Sequence, residues 1–119
     1  MRRLQRSLFL VLLGCAQLCE AQVLAVFKYD GGGDWYANPT ALKNLSEFYN
    51  KNTDAKSLVH SEPITAESLL ASGVSFLHGT GHGRIILSEV QANQLRTFTE
   101  NRGFLHIDDN YGMSSFAEE

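Results

Sequence analysis

Thiols are almost missing from this chain. Of 119 residues only two are cysteine, Cys15 and Cys19, and both fall near the start. Proline is equally scarce, with two residues, and charged residues make up 19% of the chain. That composition excludes a proline-rich linker, a highly charged disordered tail and a fibrous repeat. No lysine or arginine cluster follows the first six residues, so nucleic acid is not an expected partner. The spaced motifs HExxH, GxGxxG and the Walker loop are also absent. The one long apolar run, Ser7 to Gly14, is too short to read as a membrane span.

That run has a purpose of its own. Arg2, Arg3 and Arg6 precede it, and Cys19-Glu20-Ala21 offers small residues where a signal peptidase reads. Residues 1–21 are therefore expected to be a secretory signal peptide, with 22–119 the folded domain. Leu12-Leu13-Gly14-Cys15 also resembles a lipobox, so a lipoprotein anchored at Cys15 is the competing expectation. Cleavage after Ala21 removes both cysteines. It leaves a domain with no disulfide, thiolate metal site or cysteine nucleophile. It also removes three of ten basic residues and one of thirteen acidic ones, so the remainder carries about −5.

What remains alternates between two patterns. Val23–Tyr29, Ser57–His60, Val74–His78 and Phe104–Ile107 are short β-rich runs. Between them lie helical periodicities. Asn38 is positioned to cap a helix opened by Pro39, with Leu42, Leu45, Phe48 and Tyr49 on one face to about Lys51. Thr65 can cap a short helix that carries Leu69 and Leu70 and closes near Gly73. Ser88 and Gln91 form a capping box for a helix carrying Val90, Leu95 and Phe98. Strands alternating with helices predict a mostly parallel α/β sheet with helices on both faces, a three-layer sandwich.

Three polar, glycine-rich segments follow strands. Ligands in open α/β sheets bind outside the carboxyl ends of the strands, so the segments are expected to meet in space. In Gly31-Gly32-Gly33-Asp34-Trp35-Tyr36 the glycines can form an anion-binding nest, and the aromatics can stack on a ring. The bland alternative is a tight turn with packed aromatics. In the segment ending Gly81-His82-Gly83 the imidazole is unhindered, which suits a general base or metal ligand; the alternative is a surface turn. Asp108-Asp109-Asn110-Tyr111-Gly112 places two carboxylates side by side. One can face the crevice while the other holds a loop amide. A divalent metal is the cofactor these residues would suit, held by Asp34, His82 and one carboxylate of that pair, Asp109. His78 and His106 read as core or supporting histidines and His60 as surface. Asn44-Leu45-Ser46 matches a glycosylation sequon inside a predicted helix and reads as chance.

GGGDWY, TGHG and GFLHIDDNYGM (103–113), in this order, resemble the bacterial domain of unknown function family 4159. The likeness runs from about Val23 to the end. It implies a flavodoxin-like fold in the class I glutamine amidotransferase-like superfamily, and a domain that continues beyond residue 119. It also implies an exported or membrane-attached setting. In active amidotransferases the turn after the corresponding strand carries a cysteine; here Asp108-Asp109-Asn110 stands there. The GTGHG loop lies where those enzymes place oxyanion-stabilising glycines. Ala37 and Asn38 stand where the family often has an acid. Ser114-Ser115-Phe116-Ala117 lacks an arginine common near that point. The expectation is an envelope or periplasmic domain that binds a small polar ligand or an envelope protein without amidotransferase activity. The alternatives are a hydrolase, metal-assisted or using Asp and His as acid and base, and a purely structural module.

Overall fold

A computed structural model describes residues 20–112 together with Ser114 and Glu118. The expected leader up to Cys19, its lipobox and the 115–117 segment lie outside the described residues. Seven elements follow in order: β1 (Gln22–Val26), α1 (Ala41–Asn52), β2 (Ser57–Val59), α2 (Ala66–Leu69), β3 (Phe76–Thr80), α3 (Glu89–Glu100) and β4 (Phe104–Asp108). The four strands form one sheet in the order β2-β1-β3-β4, and every pairing is parallel. This is the parallel α/β sheet that the strand–helix alternation predicts, and it is consistent with the flavodoxin-like sandwich that the resemblance implies. No helix among the described residues is long and apolar enough to cross a membrane.

Side-chain alternation along the strands divides the sheet into two unlike faces. Ala25, Phe27 and Leu77 point to one face and pack with Leu69 of α2 and with Leu95 and Phe98 of α3. Phe27, Leu69 and Leu77 are fully buried, and burying each such side chain contributes about 1.5–3 kcal/mol. The opposite face is thinner. There α1 docks through a polar contact: Ser46 Oγ lies 2.8 Å from Ser57 Oγ, and Asn50 Nδ2 donates to the Ser57 carbonyl at 3.0 Å. Leu42 and Ser46 are the buried residues of α1. Leu45 and Phe48, expected on the same buried face, are 42% and 67% exposed. Leu45 and Tyr49 instead border an open apolar groove of about 370 Å³ with Leu24, Phe76 and Phe104.

Several local expectations shift. Asn38 does not cap α1; Thr40 holds the cap position, and Asn38 sits two residues earlier at φ 57°. Thr65 precedes α2, but its hydroxyl faces Ser68 Oγ and makes no cap bond. Leu70 is 47% exposed, so Ala66 and Leu69 anchor that helix. The Ser88–Gln91 capping box is complete in both directions. Val90 is 63% exposed because the buried face of α3 runs through Leu95 and Phe98 and misses it. β3 begins and ends two residues later than predicted. Gly79 belongs to the strand because Ile107 of β4 fills the space a Cβ would take.

Candidate functional site

At the carboxyl ends of β1 and β3 the chain leaves the sheet in two glycine-rich loops that pair with each other. Ile86 N–H donates to the Asp30 carbonyl at 2.8 Å, Gly33 N–H to the Arg84 carbonyl at 3.1 Å and Asp34 N–H to the His82 carbonyl at 3.1 Å. The glycines make this approach possible. A Cβ at Gly31 would lie 2.7 Å from the Arg84 carbonyl oxygen, and one at Gly81 would lie 2.4 Å from the Tyr29 hydroxyl. Gly31 and Gly81 also hold positive φ, at 114° and 144°. The Gly33 amide is thus spent on the neighbouring loop. The expected anion nest gives way to a backbone-to-backbone seam.

The seam fixes an acid–imidazole pair. Asp34 Oδ1 accepts the His82 backbone N–H, and Asp34 Oδ2 lies 2.8 Å from His82 Nδ1. The backbone bond, followed by the ring bond, holds the Asp34 carboxyl below its ordinary range, since both favour the ionised form. Beneath the pair, the Tyr29 hydroxyl donates to the Thr80 carbonyl at 3.0 Å. Burial, reinforced by the nearby Asp34 charge, pushes the Tyr29 phenol up to about 12. Both members of the pair remain partly open to solvent, with side-chain exposures of 38% for His82 and 31% for Asp34. Bonding Nδ1 to the carboxylate leaves His82 Nε2 as the outward nitrogen.

The third loop completes the crevice differently. Asp108 Oδ1 accepts the Asn110 N–H at 3.0 Å, and Asp109 Oδ1 accepts the Gly112 N–H at 2.8 Å. Both carboxylates are therefore turn acids that hold their own loop. The Tyr111 ring lies 4.9 Å from the His82 ring and is 81% exposed. Asn110 Oδ1 accepts from Thr80 Oγ1 at 3.1 Å and from Asn38 Nδ2 at 2.8 Å.

The family model for Domain of unknown function (DUF4159) matches residues 23–118. The chain belongs to this family. A search of curated proteins finds no match.

All three predicted walls of this DUF4159 domain do meet. Asp34, Gly81, His82 and Gly83 share the seam, and Asn110 and Tyr111 reach it from β4. Trp35 does not line the opening as a free stacking platform. It packs against the core, its ring covered by Lys28 Nζ at 5.4 Å from the centroid, while Tyr36 meets it edge-on and stays 66% exposed. The metal set Asp34, His82 and Asp109 is not assembled. Asp34 is engaged with His82 and Asp109 with Gly112, and no group of three or more His, Cys, Asp or Glu among the described residues is placed to hold an ion.

Asn38 is the residue that sequence reasoning missed. Its amide donates both to Thr80 Oγ1 at 3.1 Å and to Asn110 Oδ1, which ties the first loop to the other two. The available signal was an asparagine tolerant of positive φ placed just after GGGDWY; the adjacent proline drew the reading toward a helix cap.

Proposed function

We propose that the crevice between the 31–38, 80–84 and 108–112 segments binds a small polar ligand or a polar segment of an envelope protein, in a domain exported to the bacterial periplasm or cell envelope. The observation that carries this reading is the double engagement of Asp34 with His82, which fixes the imidazole through its Nδ1 and leaves Nε2 out of that contact on a partly exposed ring. The exposed Tyr111 ring lies against the His82 ring, and the side-chain amides of Asn38 and Asn110 tie the first loop to the third. A fixed hydrogen-bonding atom, amides and a flat ring suit a hydroxyl- or amide-bearing ligand. Export rests on the basic, apolar and small-residue order of the first 21 residues.

The class I glutamine amidotransferase-like scaffold belongs to the same reading. Asp108 and Asp109 are occupied in a turn where such enzymes need a thiolate, so glutamine hydrolysis is not the expected chemistry. One observation favours a second reading. A carboxylate bound to Nδ1 with Nε2 outward is also the arrangement that orients a histidine as general base toward a water molecule. On that reading the domain is an Asp/His hydrolase.

Ligand-induced thermal stabilisation tests the first reading, with panels of saccharides, amino acids, dipeptides and nucleosides against the native chain and His82→Ala. Binding predicts stabilisation by at least one class that the variant loses. Stabilisation that persists unchanged in His82→Ala sinks it. Turnover in a broad hydrolase screen that disappears in His82→Ala moves the assignment to the second reading.

A further inference from the structure

A pair of imidazoles lies outside the crevice. The parallel register sets Phe76 opposite Phe104, His78 opposite His106 and Thr80 opposite Asp108, all on the thinly covered face. The phenyl rings stack at 5.3 Å and the imidazoles follow at 5.0 Å. His78 Nδ1 and His106 Nδ1 are 2.9 Å apart. The centroid separation is close to that distance plus two ring radii, so the two nitrogens point at each other. Such a contact needs one hydrogen between them, with one nitrogen donating and the other accepting.

The two rings differ in setting. His78 is 7% exposed, whereas His106 lies on the open edge strand. Burial, followed by the nearby His106, disfavours the protonated form of His78, and Asp108 opposes them only in part. Val26, its register partner on β1, is apolar, and Asp108 and His106 are the titratable groups that act on His78. Either ring can donate while both are neutral, but a protonated His78 has no ring nitrogen left to accept. Two protonated rings in this register would set N–H against N–H.

We propose that His78 and His106 form an acid-sensitive latch between β3 and β4, which holds the 108–112 loop against the crevice at neutral pH and releases it on acidification. The link is direct, because β4 ends at Asp108 and the next residues supply Asn110 and Tyr111. The latch acts whatever the crevice binds. The sign follows from His78: its folded form resists the proton that the unfolded chain accepts at the ordinary value of 6.5. The stabilisation is complete above that value and is lost as pH falls through the lowered one.

Histidine ring NMR and amide hydrogen exchange on the full chain test this. His78 is expected to titrate below 6.5. As pH falls through the titration of His78, exchange at 105–108 and 110–112, corrected for intrinsic rates, is expected to rise about tenfold, the order of one lost hydrogen bond. Amides of β1 are expected not to follow. In His106→Phe, which continues the phenyl ladder, the acid-dependent rise should vanish. Ordinary titration of His78, an equal rise in β1 and β4, or persistence of the rise in the variant would each overturn the latch. If the variant does not fold, the two measurements on the native chain still decide.

Discussion

The first two walls of the crevice and the third are built on different principles. The 31–36 and 81–86 loops are bonded to each other along their backbones, and three of their glycines, Gly31, Gly33 and Gly81, sit where a Cβ would collide. The 108–112 loop is bonded mainly to itself through Asp108 and Asp109, and a Cβ at Gly112 would meet open space. Beyond the strand register at Asp108, Asn110 and Tyr111 meet Asn38, Thr80 and His82 through side chains. In one-letter form all three look like polar glycine turns. The difference between them is one of packing: glycine provides close approach in the seam and only a left-handed bend in the third loop.

Substitutions can sharpen or break that contrast. The largest effect is expected for Gly81→Ala, which combines positive φ with a collision against Tyr29 and Asp34; the loss should reach about 3 kcal/mol or more in denaturant unfolding. A loss below about 1 kcal/mol would show that the seam opens freely.

Asp34→Ala should come next. It removes the acceptor for both the His82 N–H and its ring, and ring NMR should then report a mixture of His82 tautomers. In the native chain the Asp34 carboxyl should titrate below its ordinary 3.8. A carboxyl lowered on folding contributes stability above its ordinary value, and that contribution is lost as pH falls through the lowered one. A normal Asp34 titration would mean that the clamp is not formed in solution.

Gly112→Ala should cost only about 1 kcal/mol, the left-handed penalty without a collision. If it matches Gly81→Ala, the contrast between the walls fails. The smallest effect is expected for Asp109→Asn, within about 0.5 kcal/mol, because the amide oxygen can still accept the Gly112 N–H. A larger loss there, together with stabilisation of the native chain but not of the variant by a divalent ion, would restore the metal reading.

Much of the fold was legible because its signals are local. β-Rich runs bounded by glycine, and the serine and glutamine that close a box at Ser88 and Gln91, need no knowledge of distant residues. The meeting of the three loops was legible too, through the rule that parallel sheets place their loops at one edge. Features that depend on contacts far along the chain were not legible. Nothing around Asn38 announces partners 42 and 72 residues away. Periodicity placed Leu45, Phe48 and Val90 on helical faces but could not say how much sheet lies under each face. His78 and His106 read as separate background residues until the β3–β4 register set them side by side.

The reach of Asn38 also has a consequence in time. Its amide bonds to Asn110 across 72 residues, so this contact waits until three crossover connections have closed. Contacts so distant in sequence form late in folding, after local helices and the first strand pairings. The β1–β3 seam can exist before β4 docks, but the crevice then has only two walls. A ligand that needs all three would favour the finished chain over its folding intermediates, and its binding would report the completion of folding as well as occupancy of the site.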